Sequence, residues 1–119
     1  MATKREHSIV PEMLKSSSLV EWVNADITDY FALADLFPSV RQVYHCAAAI
    51  SYDPADWKQM LHTNISGTQH IVNLCLEHQA RLVHVSSIAA LGTNKQGEPV
   101  QETDKWDPAL KISKYALSK

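Results

Sequence analysis

The stretch "VRQVYHCAA", Val40 to Ala48, has the pattern of a buried strand in a parallel sheet. It is short, rich in β-branched residues, and ends in small ones. The stretches "SLVEWVNAD" (Ser18 to Asp26) and "ARLVHVSS" (Ala80 to Ser87) share this pattern. The sequence therefore predicts three strands that end in small or polar side chains.

Helical patterns fill the two intervals between these strands. In the first, "TDYFALADLF" begins at Thr28 as the expected N-cap and is closed by Pro38. Its predicted apolar face consists of Phe31, Leu33, Ala34, Leu36 and Phe37. The second interval, Asp53 to His78, predicts one long amphipathic helix. Its apolar residues recur at spacings of three and four, at Trp57, Met60, Leu61, Ile65, Thr68, Ile71, Val72 and Cys75.

The order strand, helix, strand, helix, strand is that of right-handed crossover units in a parallel sheet, which predicts an α/β fold. Ligands bind such sheets at the carboxyl edge of the strands. The residues expected at that edge are Asp26, Cys46 to Ala49, Ser86 and Ser87. The polar segment Gly92 to Pro108 predicts a surface loop, and a final helix should begin near Ile112.

The composition is that of one soluble globular domain over residues 1–119, with 45% hydrophobic and 20% charged residues. A net charge of −2 gives no electrostatic reason to expect nucleic acid or an anionic membrane as partner. No apolar run approaches the roughly 20 residues that cross a bilayer, and the polar start lacks the apolar centre of a signal peptide. We therefore expect a cytoplasmic protein.

The cysteines and histidines do not predict a metal site or a disulfide. Cys46 and Cys75 both lie in apolar segments and are expected to be small buried hydrophobes. His62, His70 and His78 recur every eight residues, which advances a helix by about 80° per step. Because this spacing spreads them around the helix, we expect no metal cluster.

The chain ends in "SKYALSK", in which Tyr115 and Lys119 stand four residues apart. On a helix this spacing places an ammonium beside a phenol. Because a free tyrosine has a pKa of about 10, a nearby positive charge would bring the phenol toward the range of proton exchange at neutral pH. Taken alone, the spacing favours two unrelated residues on a solvated helix face, because Tyr and Lys occur at this spacing by chance on many helices.

Five motifs together resemble the extended short-chain dehydrogenase/reductases, or NAD-dependent epimerase/dehydratases, from about Lys4 to Lys119. The motifs are "ADITD", "VYHCAA", "NISGT", "VHVSSIAALG" and "SKYALSK", in the family's order. The resemblance implies part of a Rossmann-type doubly wound parallel sheet, strands three to five. It also implies hydride transfer between the nicotinamide of NAD or NADP and a secondary alcohol or ketone.

The resemblance implies four catalytic residues. Tyr115 is similar to the family's proton donor or acceptor, and Lys119 to the lysine that lowers the pKa of that phenol and contacts the nicotinamide ribose. Ser87 resembles the serine that hydrogen-bonds the substrate oxygen. Asn64 resembles an asparagine that supports a water link to the lysine, although an amide that caps a helix kink beside Gly67 fits the sequence equally well.

The resemblance also implies contacts to the cofactor. These residues are Arg5, Asp26, Ile27, Ala47, Ala48, Ser86 and Lys119. Asp26 and Ile27 would meet the adenine, and Ala47 and Ala48 would let the cofactor lie close to the backbone. Arg5 occupies the place of an arginine that binds the 2′-phosphate, so NADP is slightly favoured over NAD. An ordinary surface arginine is the alternative for Arg5.

The family's glycine-rich turn is missing, since the only glycines are Gly67, Gly92 and Gly97. With "MATK" as at most the tail of strand two, the strands "LVEWVNA" and "VYHCAA" are expected to lack neighbours. We therefore expect an internal fragment of a longer enzyme, one that binds cofactor poorly and is inactive by itself.

Two other classes of protein stay open at this stage. One is a non-catalytic relative that senses the dinucleotide or binds a protein partner, and the other is a complete small α/β interaction module with rearranged strands. Within the enzyme class, "HCAAAISY" and the tryptophan of "DKWDP" favour reductases and hydroxysteroid-type enzymes over those acting on sugar nucleotides. The expected partners of the longer protein are the dinucleotide and a small-molecule substrate, and a homodimer is compatible with the resemblance.

Overall fold

The computed structural model describes residues 1–91, 99–104 and 112–119. Its strands are β1 (Ala2–Lys4), β2 (Trp22–Asn24), β3 (Gln42–His45) and β4 (Arg81–His84). Its α-helices are α1 (Glu12–Lys15), α2 (Tyr30–Ala34), α3 (Trp57–Leu61), α4 (Gly67–Glu77) and α5 (Lys114–Leu117). A π-helical turn, His62–Ser66, joins α3 to α4, and short 3₁₀ helices lie at Phe37–Ser39, Pro54–Asp56 and Ile88–Leu91.

The strands form two parallel pairs, which corrects the expectation that two of them would lack neighbours. β1 pairs with β2, with Thr3 opposite Val23. β3 pairs with β4, with Tyr44 opposite Val83. The expectation was wrong because "MATK" supplies a whole short strand and because β3 has a partner within the chain. Each ladder satisfies backbone groups that would otherwise be costly to leave unpaired.

A small core lies between the helices and the strands. Its buried members are Leu33, Phe37, Ile71, Leu74 and Cys75. Helix α4 packs against β3, β4 and α2, so it covers the second strand pair and closes the core. The predicted burial of Cys75 is confirmed, but that of Cys46 is wrong. β3 ends at His45, which leaves Cys46 in the exposed loop that follows.

The first predicted helix begins later than expected. Asp29 is its N-cap, since the Asp29 carboxylate accepts a hydrogen bond from the Ala32 N–H at 3.0 Å. Thr28 lies before the helix and donates both its N–H and its hydroxyl to Asp26. Phe31, predicted on the apolar face, is 79% exposed and contacts Tyr30 edge to face. Leu33 and Phe37 are buried as predicted.

The long helix is continuous but not uniformly α-helical. Within the π-helical turn Asn64 points inward and is 3% exposed, whereas Ile65, predicted on the apolar face, is 41% exposed. A π turn changes which residues face the core, and such turns are frequent at functional sites. Met60, Ile71 and Cys75 are buried as their spacing predicts.

The last helix, α5, is a single turn. Ser113 caps it, since its hydroxyl accepts a hydrogen bond from the Ala116 N–H at 3.1 Å. The predicted surface loop, Gly92 to Pro108, lies outside the described residues except for 99–104. The predicted start of the helix near Ile112 is two residues early. Within the described part of the chain, no helix has the length and apolar character to span a membrane.

Candidate active site

A cavity of about 570 Å³ opens at the carboxyl ends of β1 and β2. Its lining consists of Arg5, Glu6, His7, Ser8, Asn24, Ala25, Asp26, Asp29 and Ala32. Two residues assigned to the cofactor, Arg5 and Asp26, therefore share one cavity. Ile27, assigned to the adenine, is not in this lining. Its side chain lies against α4 at Gly67.

The Asp26 carboxylate is fixed at the rim of this cavity. It accepts hydrogen bonds from the Thr28 N–H at 2.9 Å and the Thr28 hydroxyl at 2.7 Å. The bond from the Thr28 backbone lowers the pKa of Asp26, and the positive charge of Arg5 acts in the same direction. The carboxylate is thus held ionised and oriented, ready to accept a hydrogen bond from a ligand hydroxyl.

The second part of the site lies at the carboxyl ends of β3 and β4. There the 3₁₀ helix after Ser87 packs against α5, which carries Tyr115. The Lys119 ammonium donates to the Val85 carbonyl at 3.1 Å, and the Ser86 hydroxyl donates to the Lys119 carbonyl at 3.4 Å. The structure therefore brings Ser86, Ser87, Tyr115 and Lys119 to one edge of the strand pair.

The side chains at this edge differ in orientation and exposure. The Ser87 hydroxyl accepts a hydrogen bond from the Ala89 N–H at 3.2 Å, which orients it at the start of the 3₁₀ helix. Tyr115 is half-buried. Ala47 and Ala48, which follow β3 at the same edge, are exposed and small, so a planar ligand can approach their backbone closely.

Asn64 holds the loop after β3. Its Oδ1 accepts from the Ala49 N–H at 2.7 Å, and its Nδ2 donates to the Ala49 carbonyl at 2.9 Å and to the Ser118 hydroxyl at 2.8 Å. These bonds go to a neighbouring loop and to α5 rather than to the helix backbone beside Gly67. A water link from Asn64 to Lys119 stays a prediction.

A histidine pair that the sequence analysis missed lies beneath the site. His45 and His84 face each other in the β3–β4 register, with ring centroids 4.9 Å apart. The His45 Nε2 lies 2.8 Å from the Thr68 hydroxyl. Burial lowers the pKa of His45 to about 4, with His84 and Lys119 adding to the effect. Both histidines occupy the last position of their strand. This shared position is the feature of the sequence that could have indicated the pair.

The buried neutral His45 should make stability depend on pH. Between pH 6.5, the ordinary pKa, and about pH 4, the pKa in the folded state, His45 binds a proton in the unfolded state but not in the folded one. The contribution of neutral His45 to the free energy of unfolding is therefore fully present above pH 6.5 and is lost as the pH falls toward 4. Between pH 7.5 and pH 5 we expect the free energy of unfolding to decrease by about 2 kcal/mol from this residue. The lowered pKa of His84 acts in the same direction.

Urea unfolding at these two pH values measures the effect. His45→Gln keeps a neutral hydrogen-bonding side chain and should flatten the dependence, whereas His7→Gln, at an exposed position, should leave it intact. An unchanged pH dependence in His45→Gln would show that another group is responsible.

Parallel strands joined through helices, with both candidate ligand regions at their carboxyl ends, define an incomplete Rossmann-type α/β fold. The sequence model of the NAD dependent epimerase/dehydratase family matches residues 2–119, and the chain belongs to this family. Within the described residues, no group of three or more His, Cys, Asp or Glu side chains is arranged to hold a metal ion.

Several known proteins are similar to the chain. The dTDP-glucose 4,6-dehydratase of Mycolicibacterium smegmatis is 33% identical over 98 residues, which cover 79% of this chain and 30% of that protein. Sterol demethylase protein B of Methylococcus capsulatus is 32% identical over 79 residues, 66% of this chain and 24% of that protein. The crystal structure of the Bordetella bronchiseptica enzyme WbmH in complex with NAD⁺ has a TM-score of 0.79 at 25% identity, over 98% of this chain and 39% of that one.

The matched residues make up most of this chain but a much smaller part of each curated relative. The chain spans less than a third of the length of both curated relatives. The family and the fold are therefore shown for these residues, and the activity belongs to a proposal about the full-length protein.

Proposed function

We propose that the full-length protein containing this chain is a NAD(P)-dependent oxidoreductase or epimerase that acts on a secondary alcohol or ketone. The observation that supports it is the docking of α5 at the carboxyl ends of β3 and β4. Helix α5, which contains Tyr115, packs on the 3₁₀ helix that follows Ser87, and the Ser86 hydroxyl is hydrogen-bonded to the Lys119 carbonyl. These contacts support the proposal because the chain belongs to a family described as NAD dependent.

The roles of the side chains follow from their chemistry. When bound, the nicotinamide supplies or accepts the hydride at C4. Tyr115 takes the proton from the substrate hydroxyl during oxidation and returns it to the carbonyl oxygen during reduction. Ser87 donates a hydrogen bond to that oxygen. Lys119, whose ammonium lies at this edge, would contact the nicotinamide ribose.

The cavity at β1 and β2 would hold the adenosine half of the cofactor. Asp26 is a fixed acceptor for a hydroxyl or amino group, and Arg5 offers a planar cation to a 2′-phosphate. Glu6, Asp26 and Asp29 also line the cavity, and their negative charge opposes a phosphate. These carboxylates reduce the advantage that Arg5 gives to NADP, so we propose only a slight preference for NADP over NAD. Ala47 and Ala48 would let the cofactor lie close to the backbone.

Arg5 gives a direct test of cofactor preference. In the full-length protein, Arg5→Gln should weaken NADPH binding about tenfold, the order expected for one lost charge-assisted pair, and change NADH binding little. Arg41→Gln removes an exposed arginine at the opposite end of β3 and serves as the control. Fluorescence titration measures both affinities. Equal losses of affinity for NADH and NADPH would show that Arg5 does not bind the 2′-phosphate.

A substrate panel tests the activity itself. The relatives include a sterol demethylase protein and a dTDP-glucose dehydratase, and we propose an apolar hydroxysteroid-type substrate over a sugar nucleotide. The full-length protein is incubated with NAD⁺ or NADP⁺ and either a 3β-hydroxysterol or dTDP-glucose. Formation of the reduced cofactor, followed by its absorbance, is the expected result with the sterol. Conversion of dTDP-glucose is followed by loss of the sugar nucleotide instead, because an epimerase or dehydratase returns the hydride and leaves no reduced cofactor. Conversion of neither substrate would contradict the proposal. The 119 residues alone are expected to bind NADPH weakly and to turn over neither.

A further inference from the structure

A buried hydroxyl lies between the two residues to which the chemistry is assigned. Ser118, between Tyr115 and Lys119, is 7% exposed. Its Oγ accepts a hydrogen bond from Asn64 Nδ2 at 2.8 Å and donates one to the Tyr115 carbonyl at 2.7 Å. The side chain therefore joins α5 to the π-helical turn.

Asn64 extends this connection to the loop after β3. A primary amide has one acceptor oxygen and two N–H donors, and all of them are used here, on Ala49 and on Ser118. Turning the amide over would set its oxygen against the Ala49 carbonyl. The orientation is thus fixed, and it requires Ser118 to be the acceptor from Asn64 and the donor to the Tyr115 carbonyl.

Helix α5 depends on such contacts because a single turn does not hold its shape in water without tertiary support. Other contacts also bind it to the rest of the structure. The Ala116 methyl is buried, the Lys114 ammonium lies 5.8 Å from the centre of the Trp57 ring, and α5 packs on the 3₁₀ helix after Ser87. Just past its end, Lys119 is hydrogen-bonded to Val85 and Ser86.

The Ser118 hydrogen bond connects α5 to another part of the structure. Through Asn64 it reaches the backbone of Ala49, next to the exposed Ala47 and Ala48.

We propose that Ser118 is a positioning residue that, through Asn64, fixes Tyr115 in α5 and Lys119 just beyond the end of α5 against the loop after β3. The effect of this link on the reaction rate rests on the proposed function. The link itself can be measured by hydrogen exchange without any substrate. A misplacement of a reacting group by about 1 Å is enough to cost a hundredfold in rate.

Hydrogen exchange and kinetics on the full-length protein test this proposal. In Ser118→Ala we expect the hydrogen-bonded amides of residues 116–118 to exchange about tenfold faster, because their local opening becomes easier. With the substrate found active in the panel, kcat should fall about ten- to a hundredfold while the Kd for NADPH and the KM stay within about twofold. Ser118→Thr keeps the hydroxyl and should restore most of the protection from exchange and most of kcat.

Ile71→Val is the stability control. It loosens the core at a residue outside the candidate site and should leave the exchange of residues 116–118 and kcat unchanged. Unchanged exchange in Ser118→Ala would overturn the link, whether or not the protein is an oxidoreductase. Faster exchange with an unchanged kcat would overturn the positioning role. Failure of the proposed function has a different signature, which is a Tyr115→Phe variant that keeps its turnover.

Discussion

Turnover by the full-length protein is expected to fall about 10²- to 10⁴-fold when Tyr115 is replaced by Phe, which is the usual contribution of a positioned acid–base group. The substitution removes only the phenolic oxygen, so α5 and its packing on the neighbouring 3₁₀ helix should persist. Binding of NADPH should change less than about twofold, because the loss concerns a proton transfer and not a cofactor contact. Turnover is measured by stopped-flow or steady-state absorbance of the reduced cofactor.

Tyr30→Phe is the matched control. The Tyr30 hydroxyl contacts Glu77 at 3.3 Å on the exposed side of the α2–α4 pair, so its removal should leave kcat unchanged. A Tyr115→Phe variant with full activity would contradict the assigned role of the phenol. If NADPH binds but neither the parent nor the variant turns over any substrate, the non-catalytic, dinucleotide-sensing class is favoured instead.

The second large effect concerns the close approach of α4 to the loop after β2. A Cβ built on Gly67 would lie 2.9 Å from both Cγ1 and Cγ2 of Ile27. Because these two atoms branch directly from the Ile27 Cβ, rotation of the side chain cannot clear them both. Gly67→Val should therefore lower the free energy of unfolding by about 2 to 3 kcal/mol through overpacking, with the better helix propensity of valine offsetting only about 0.5 kcal/mol.

Urea unfolding measures this loss, and two further variants define its origin. Asn73→Val places the same side chain at an exposed position of α4 and should change stability by less than about 0.5 kcal/mol. Ile27→Ala combined with Gly67→Val removes the colliding atoms and should recover about 1 kcal/mol or more relative to the sum of the single effects. Simple additivity would show that the Ile27 contact is not the cause.

The sequence predicted the order of elements because hydrophobic spacing records which side of each element is buried. Leu33, Ile71 and Cys75 are buried as their spacing requires. Spacing failed at Phe31, whose exposed ring contacts Tyr30 instead of the core, and at Ile65, because the π turn interrupts the 3.6-residue period. Pairing of β2 with β1 was missed because a three-residue strand has too little pattern to be recognised.

The candidate site was predictable only in part. The motifs placed Ser87, Tyr115 and Lys119 at one edge, as the structure also has them, but their catalytic roles stay predictions. Ser118 carried no signal of its own, since a serine beside a lysine in "LSK" resembles any surface serine. Its burial and its bond to Asn64 arise from the packing of residues 54 positions apart, which no local pattern records.

The π-helical turn His62–Ser66 holds one residue more than a regular α-helical turn would. Deleting one residue there would let an unbroken α-helix form, and its tighter winding would offset most of the rotation that the lost residue would otherwise cause. Met60 in α3 and Ile71 in α4 should therefore keep their sides of the helix, whereas the inward position of Asn64 would be lost. Such a deletion is expected to spare the core and to release the loop after β3 from Asn64.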